Sequence, residues 1–263
     1  TLSNLTNYSL DDSHQLSMLK KIDNKKFTEE HKIPLYFALG KSFEDQKKFS
    51  DSFKFYKLGN EYKNSILKNY NLKIEDIYLK KIKDFFLNFN INSYKIKKLY
   101  RKKIIFIVGL PRSGTSLIHQ ILSSHDQVKG LGETKILNSF FNHKILDENF
   151  LKNLNEKNNQ NNQLFSEISQ NLGLLYEKNS EKKIVLDKSP FNFFWIGFIK
   201  LIFPKAKIVL VSRNIEDNCL SIYKSLFGQN GVLWSYNIKN IVQFVKIYKD
   251  LKNFWLHYLP NYI

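Results

Sequence analysis

The amino-acid sequence predicts an α/β domain, built on a parallel sheet flanked by helices, that follows an all-α region. Three short apolar runs rich in β-branched residues, at positions 104–108, 183–186 and 207–211, predict buried strands. Segments with helical spacing follow these runs. Strands that alternate with helices favour parallel pairing, because each helix carries the chain back to the same edge of the sheet.

The domain organisation follows from changes in pattern along the chain. Residues 1–95 have apolar positions at helical spacing and no convincing strand, so we expect a helical region there. Residues 96–263 are then the α/β domain. Within it, the stretch Lys152–Gln163 is polar, rich in Asn and without periodicity. We expect a mobile loop or linker at this stretch.

The helical region contains one segment that resembles a tetratricopeptide (TPR) helix pair. Small residues at such positions let two helices approach, and aromatic residues fill the space between them. An ordinary helical hairpin is the alternative, since one repeat is clear and TPR stability normally needs about three. The matching positions are Tyr36, Leu39, Gly40, Phe43, Ser52, Tyr56 and Gly59.

The formal charge of +17 raises the question of a polyanionic partner such as nucleic acid. Lys, Asn, Ile, Phe and Tyr are all abundant, however, while Gly and Pro number only 10 and 5. A genome rich in A and T would produce this bias in any protein, and solvated lysines are its usual result. We therefore predict no nucleic-acid partner.

The sequence also predicts a cytoplasmic protein without a membrane partner. Its single cysteine, Cys219, excludes an intrachain disulfide and fits a reducing compartment. No run approaches eighteen apolar residues, and the start of the sequence lacks the pattern of a signal peptide.

The segment Gly109–Ser116 predicts an anion site, because it lies where a strand ends and a helix begins. Its glycines allow a tight turn with N–H groups pointing inward, and the helix N-terminus adds positive potential. The context is that of a P-loop, so the sheet is expected to be P-loop-like. A nucleoside triphosphatase would need Lys after the second Gly, where this chain has Thr115. Metal-assisted phosphoryl transfer is therefore disfavoured.

Four segments together resemble sulfotransferases that use 3′-phosphoadenosine 5′-phosphosulfate (PAPS), in the arginine-bearing form of the tyrosylprotein and bacterial TPR-linked families. The segment Pro111–Leu117 resembles their 5′-phosphosulfate loop. Gly132–Lys135 resembles the Glu-Glu-Thr-Arg segment that carries the catalytic base, and Asp187–Phe191 resembles their Asn-Lys-Asp-Pro-Phe segment. Arg213 and Ser221 match the arginine and serine of the 3′-phosphate-binding element.

This resemblance implies transfer of a sulfuryl group from PAPS to an acceptor hydroxyl, with adenosine 3′,5′-bisphosphate as product and no metal. Glu133 is the implied general base, and Arg112 and Lys188 are implied to stabilise charge on the leaving oxygen. The acceptor would be a carbohydrate, a peptide or a small metabolite, recruited through the helical region. The implied PAPS-binding residues are Arg112, Ser113, Gly114, Thr115, Ser116, Arg213 and Ser221.

Each implied role has a structural alternative. Glu133 is alternatively a carboxylate at a helix entry, and Lys188 a solvated side chain. Asp187, at a strand end, is expected to be structural. His119 and His125 follow the loop but lack a suitably spaced second metal ligand, so both are expected to be structural or exposed.

The resemblance covers about residues 101–260 and has clear departures. Family members continue into another strand and segments that hold the adenine, so we expect a C-terminally incomplete domain. Lys135 and Gly132 replace a family Arg and Glu, which leaves the acceptor open. Three rival functions remain: a P-loop nucleoside triphosphatase or small-molecule kinase that requires Mg²⁺, a non-catalytic TPR scaffold, and nucleic-acid binding through bulk charge.

Overall fold

The structure is a computed structural model that describes residues 3, 5–10, 12–68, 70, 72–91, 102–155, 159–178, 181–228 and 232–263. The chain divides into two compact units. The first combines Thr1–Leu72 with Ile215–Phe244, and the second combines Lys73–Asn214 with Val245–Ile263. The expected boundary between residues 95 and 96 lies outside the described residues.

Helices dominate the first unit, and the second unit contains the sheet. Across the described ranges, no helix combines the length and the apolar character needed to cross a membrane. The elements in chain order are α1 (Ser13–Ile22), α2 (Glu29–Asp45), α3 (Phe49–Ile66), α4 (Lys73–Asn88), β1 (Lys103–Gly109), α5 (Thr115–Ser123), β2 (Val128–Gly130), α6 (Ile136–Lys144), α7 (Glu148–Asn155), α8 (Asn159–Lys178), β3 (Ile184–Lys188), a 3₁₀ helix (Pro190–Trp195), α9 (Ile196–Ile202), β4 (Lys207–Val211), α10 (Ile215–Tyr223), a second 3₁₀ helix (Leu233–Tyr236) and α11 (Ile238–Tyr258).

The predicted helix pair of the first unit is a tight hairpin of α2 and α3. An added Cβ at Gly40 would lie 2.7 Å from the Tyr56 ring, so only glycine allows this approach. The Ser52 hydroxyl donates to the Gly40 carbonyl at 2.7 Å across the same interface. Small and aromatic residues therefore have the complementary roles expected of them, while the assignment to a TPR stays a prediction.

The sheet confirms the predicted parallel α/β architecture. The three predicted strands are β1, β3 and β4, and β2 adds a short edge strand that the sequence analysis missed. The strand order is β2-β3-β1-β4, and every pair is parallel. Because β2 has only three residues, its sequence carries too little pattern to be recognised.

The helix that follows β1 buries only part of its apolar surface against the sheet. Ile118 and Leu122 pack on the core formed by Ile107, Val128 and Leu186. The other apolar residues of α5, Leu117 and Ile121, are 60% and 57% exposed. Hydrophobic spacing along the helix therefore predicts the helix itself but not which of its apolar residues are buried.

An aromatic core lies on the α9 side of the sheet. The ring of Phe86 packs edge-to-face on Phe198 and on Trp255, with centroids 4.9 and 5.0 Å apart. An added Cβ at Gly197 would lie 2.4 Å from Phe86, so these rings pack directly against the α9 backbone. This dense packing joins α4, α9 and the last turns of α11 within the second unit.

The prediction of a mobile loop or linker over Lys152–Gln163 was wrong for the described part of that stretch. Helix α7 continues to Asn155 and α8 begins at Asn159, while residues 156–158 lie outside the described residues. Apolar side chains further along α8 are buried, among them Phe165, Leu172 and Tyr176. Their packing stabilises a helix whose first turns have low intrinsic propensity.

Candidate active site

The predicted site residues of the second unit gather at the carboxyl ends of three adjacent strands. The segment from Gly109 to Ser116 follows β1, Lys188 ends β3, and Arg213 follows β4. In the strand register, Ile107 of β1 pairs with Lys188, and Gly109 pairs with Val211. This edge of a parallel sheet is where α/β proteins bind ligands.

The loop after β1 has the backbone of an anion-binding turn. The φ angles of Arg112 and Gly114 are +67° and +103°, which turn the chain sharply before α5 begins at Thr115. The N–H groups of Leu117 and Ile118 both donate to the Gly114 carbonyl, at 3.0 and 3.2 Å. The N–H groups just before them lie at the helix N-terminus, where no intrahelical acceptor is available and the helix dipole favours negative charge.

Ser113 supplies a hydroxyl rather than a backbone N–H to this loop. Its N–H donates to the Leu110 carbonyl at 3.2 Å and is therefore already used. Its hydroxyl is buried and, among the residues described, has no hydrogen-bond partner. A buried hydroxyl without a partner is costly, and an anion oxygen would accept its proton. The loop therefore fits a phosphate- or sulfate-like group.

Two arginines border the loop and are exposed. The Arg213 guanidinium donates through Nη1 to the Arg112 carbonyl at 3.4 Å, which brings the chain after β4 beside the loop after β1. Both side chains lie at the surface. Guanidinium groups bind phosphate through paired hydrogen bonds, so this arrangement adds positive charge and donors to the anion site.

Glu133 and Lys188 form an ion pair. The Lys188 side chain is only 10% exposed, while that of Glu133 is 64% exposed. The alternative of a solvated Lys188 is therefore wrong. Helix α6 starts three residues later, at Ile136, and the ion-pair partner of Glu133 is Lys188. An accessible carboxylate is thus paired with a buried ammonium group.

Hydrogen bonds fix the backbone on both sides of Glu133. The Lys188 N–H donates to the Gly132 carbonyl at 2.9 Å, and the Ser189 hydroxyl donates to the Thr134 carbonyl at 2.6 Å. Gly132 has a φ of +69°, a left-handed conformation that other residues adopt at a cost. The carboxylate is therefore presented from a rigid backbone segment.

Asp187 organises this segment from inside the protein. Its fully buried carboxylate accepts hydrogen bonds from the hydroxyls of Thr134 at 2.6 Å, Tyr176 at 2.7 Å and Ser189 at 2.8 Å. Burial raises the pKa of the Asp187 carboxyl above its ordinary value, and these donors act in the opposite direction. The structural role expected for Asp187 agrees with this burial.

His119 is the residue of this site whose position the sequence analysis missed. It lies in α5, and its Nε2 accepts a hydrogen bond from the Gly132 N–H at 3.2 Å. Burial and the nearby charge of Lys188 lower the pKa of His119 below its ordinary value. The sequence gives no signal for this contact, because His119 lies outside every recognised motif.

Ser221 lies in α10 and belongs to the first unit, whereas Arg213 belongs to the second. Its proposed contact with the same phosphate therefore stays a prediction. Within the described parts of the chain, no group of three or more His, Cys, Asp or Glu side chains is arranged to hold a metal ion.

Comparisons with known proteins identify relatives of this chain. A model of the sulfotransferase family matches residues 105–263, which is more than half of the chain. An uncharacterized protein of Aquifex aeolicus (strain VF5) is 25% identical over 238 residues, covering 86% of this chain and 31% of that protein. A Caenorhabditis briggsae protein named "Putative protein-tyrosine sulfotransferase" is 28% identical over 115 residues, covering 43% of this chain and 40% of that protein.

A solved structure also aligns with the chain. It is a crystal structure of a sulfotransferase from Mycobacterium tuberculosis H37Rv, with 13% identity and a TM-score of 0.35. The alignment covers 94% of this chain and 80% of the other. The chain spans well under half of the length of the two relatives matched by sequence.

Proposed function

The chain belongs to the sulfotransferase family, and we propose that it transfers a sulfuryl group from PAPS to an acceptor hydroxyl, with Glu133 as general base. One observation carries this proposal. Helix α5, which starts at the anion loop, is hydrogen-bonded through His119 to Gly132, the neighbour of Glu133. An anion site and an accessible carboxylate are thereby held together at the same edge of the sheet.

The anion loop is the proposed site of the 5′-phosphosulfate. PAPS supplies an already activated sulfuryl group, so the protein has mainly to position it and to balance charge. The free hydroxyl of Ser113 and the N–H groups at the start of α5, from Gly114 to Ser116, would donate to its oxygens. Arg112 adds a positive charge beside them.

We assign the 3′-phosphate to Arg213, while a contact of Ser221 with the same group stays a prediction. Arg213 is exposed and lies beside the loop, as its hydrogen bond to the Arg112 carbonyl shows. A 3′-phosphate distinguishes PAPS from ATP, so binding at Arg213 would select the donor.

Glu133 would accept the proton of the acceptor hydroxyl during in-line attack. Its carboxylate is exposed enough to meet an acceptor, and its backbone is fixed on both sides. Lys188 holds that carboxylate in place and provides positive charge to stabilise the negative charge that grows on the leaving oxygen. We assign the helical hairpin of α2 and α3 to recruitment of the acceptor.

The test of the donor is calorimetric titration with adenosine 3′,5′-bisphosphate, and in parallel with ATP and Mg²⁺, at two salt concentrations. Metal-independent binding of the bisphosphate is the expected result. Preference for ATP with Mg²⁺ would indicate a kinase or nucleoside triphosphatase instead. Binding of neither nucleotide would overturn the proposal in favour of a scaffold.

The test of transfer is release of the bisphosphate from PAPS in the presence of acceptor probes. Suitable probes are a tyrosine-containing peptide, a neutral oligosaccharide and a small phenol, each compared with the rate in buffer alone. Acceleration by one probe identifies the acceptor class. No acceleration and no slow release to water would contradict a transferase activity of this chain.

A further inference from the structure

We propose that His119 is a positioning residue, which couples the anion loop to the general base by accepting the Gly132 N–H hydrogen bond in its neutral form. The inference rests on the proposed function and adds a residue to it. His119 touches neither donor nor acceptor in this account. It acts through the backbone that carries Glu133.

The hydrogen bond requires one protonation state of the histidine. Nε2 lies 3.2 Å from the Gly132 nitrogen, which always carries its proton and can only donate. Nε2 must therefore be unprotonated, which places the single ring proton of the neutral imidazole on Nδ1. Protonation of Nε2 would turn this contact into a repulsion between two donors.

Packing holds the ring in that position. An added Cβ at Gly130 would lie 2.6 Å from His119 Nε2 and 2.8 Å from Cε1, so the ring lies directly on the β2 backbone. Two neighbouring points of the chain, Gly130 and Gly132, thus contact the same imidazole. The ring therefore connects the end of β2 to α5, the helix that begins at the anion loop.

The electrostatic surroundings keep His119 neutral near pH 7. Strands β1, β2 and β3 all pack against α5, and their titratable side chains are Lys103, Lys129, Asp187 and Lys188. The segment after β2 adds Glu133, which is exposed and pairs with Lys188. Lys103 and Lys129 are exposed, and the Asp187 carboxylate is engaged by three hydroxyls. Lys188 is buried nearby, and with desolvation its charge lowers the pKa of His119 below the ordinary value.

The consequence is a pH dependence with a defined sign. A histidine whose pKa is lowered by folding is neutral above its ordinary pKa of about 6.5 in both the folded and the unfolded chain. As pH falls through the lowered value, the folded protein must protonate the ring and lose the contact. We therefore expect Glu133 to lose its fixed position relative to the anion loop at acidic pH.

Two substitutions separate the contact from the titration. In His119→Gln, an amide oxygen replaces Nε2 as acceptor and does not titrate, whereas His119→Leu has no acceptor. His125→Gln is the matched control, because His125 also accepts a backbone N–H, from Gln127 at 3.1 Å, but is exposed and lies two residues after α5 ends.

The first experiment measures amide exchange of Gly132 and the His119 tautomer by NMR in the full chain. We expect a slowly exchanging Gly132 amide and an Nδ1–H tautomer in the wild type, faster exchange in His119→Leu, and slow exchange in His119→Gln down to lower pH. Equal exchange of Gly132 in all three proteins would overturn the proposal, whatever the activity of the chain.

The second experiment measures bisphosphate release from PAPS against pH, with the acceptor probes described above. We expect His119→Leu to lower kcat by about tenfold to hundredfold, the effect of a small misplacement of reacting groups, with bisphosphate affinity within about twofold of the wild type. His119→Gln should retain kcat, and its pH profile should lack the acidic fall in rate that titration of His119 causes. His125→Gln should match the wild type.

These outcomes distinguish the two proposals. A wild-type chain that binds no bisphosphate contradicts the proposed function, while amide exchange still decides whether His119 holds Gly132. A wild-type chain that turns over PAPS, together with a His119→Leu variant of equal kcat and equal pH profile, removes His119 from the mechanism and leaves Glu133 in place.

Discussion

The two sides of the candidate site are built in different ways. The base side consists of Gly132–Thr134 and Asp187–Ser189, and its side chains contact a buried carboxylate and a buried ammonium while the Ser189 hydroxyl holds its backbone. The donor side consists of Arg112–Ser116 and Arg213, and its two arginines are exposed at the surface. One side is fixed by the protein interior, while the other offers charge and donors to an incoming ligand.

This difference follows from the functional role proposed for each side. A general base contributes only when its carboxylate is held in the right geometry before the acceptor arrives, so rigidity belongs on the base side. Exposed arginines retain most of their hydration and bind a phosphate without the large desolvation cost of a buried ion. Substitutions on the two sides should therefore change different measured quantities.

The largest expected effect is on the chemical step and comes from the base side. Glu133→Gln removes the proton acceptor and should lower kcat by about 10²- to 10⁴-fold. Because Glu133 belongs to the base side, bisphosphate affinity should stay close to that of the wild type. Initial rates of bisphosphate release and calorimetry measure the two quantities.

Glu148→Gln is the matched control, since Glu148 is an exposed carboxylate whose ion-pair partner is Lys81 rather than a residue of the site. Its kcat should be unchanged. A Glu133→Gln variant with wild-type kcat would show that the base side does not supply the base.

The next effect is on stability and also concerns the base side. Asp187→Ala removes the acceptor of the Thr134 and Tyr176 hydroxyls, while the Ser189 hydroxyl keeps the Thr134 carbonyl as acceptor. An unsatisfied buried donor costs about 1–3 kcal/mol, and Tyr176 is fully buried while Thr134 is partly buried, so the free energy of unfolding should fall by about 2 kcal/mol or more. Urea unfolding of the wild type and the variant measures this difference.

Asp126→Ala is the corresponding control, because Asp126 is exposed, and it should change the free energy of unfolding by less than about 0.5 kcal/mol. Equal stability of Asp187→Ala and the wild type would mean that the hydroxyl network does not hold the base side together.

A smaller effect, on affinity, is expected from the donor side. Arg213→Ala removes charge-assisted hydrogen bonds to a phosphate and should weaken bisphosphate binding by about tenfold to hundredfold. Stability should change by less than about 0.5 kcal/mol, because the side chain is exposed. Calorimetry and thermal unfolding test the two statements.

Lys207→Ala controls for the loss of a positive charge, since Lys207 is exposed at the opposite end of the same strand, β4. It should leave the affinity nearly unchanged. If both variants weakened binding equally, the effect would belong to net charge rather than to a site at Arg213.

The smallest effect is the response to salt. Raising the ionic strength from about 0.05 M to about 0.5 M should weaken bisphosphate binding several-fold, because screening acts strongly on exposed charges. The kcat at saturating PAPS should change less, since Lys188 is buried beside Glu133. Titrations measure the bisphosphate affinity and saturation kinetics measure kcat at the two ionic strengths. If both quantities responded equally to salt, the difference between the exposed donor side and the buried base side would be contradicted.

The sequence by itself determined the architecture and predicted the anion loop. Apolar runs gave β1, β3 and β4, because buried parallel strands need continuous apolar residues, and the glycines before α5 marked the anion loop. The resemblance to sulfotransferases then assigned Arg112, Ser113 and Thr115 to the donor, and these assignments stay predictions. The strands and the loop are local features, so neighbouring residues are sufficient to specify them.

Only the tertiary structure decided how the base side is assembled. The contacts of Lys188 with Glu133 and of Asp187 with Thr134 join residues more than fifty positions apart, and no local pattern encodes such pairs. The contact of His119 with Gly132 depends on how α5 lies against β2, which is set by packing. The same reason explains the error at Lys152–Gln163, where burial of later α8 residues stabilises a helix that its first turns do not favour.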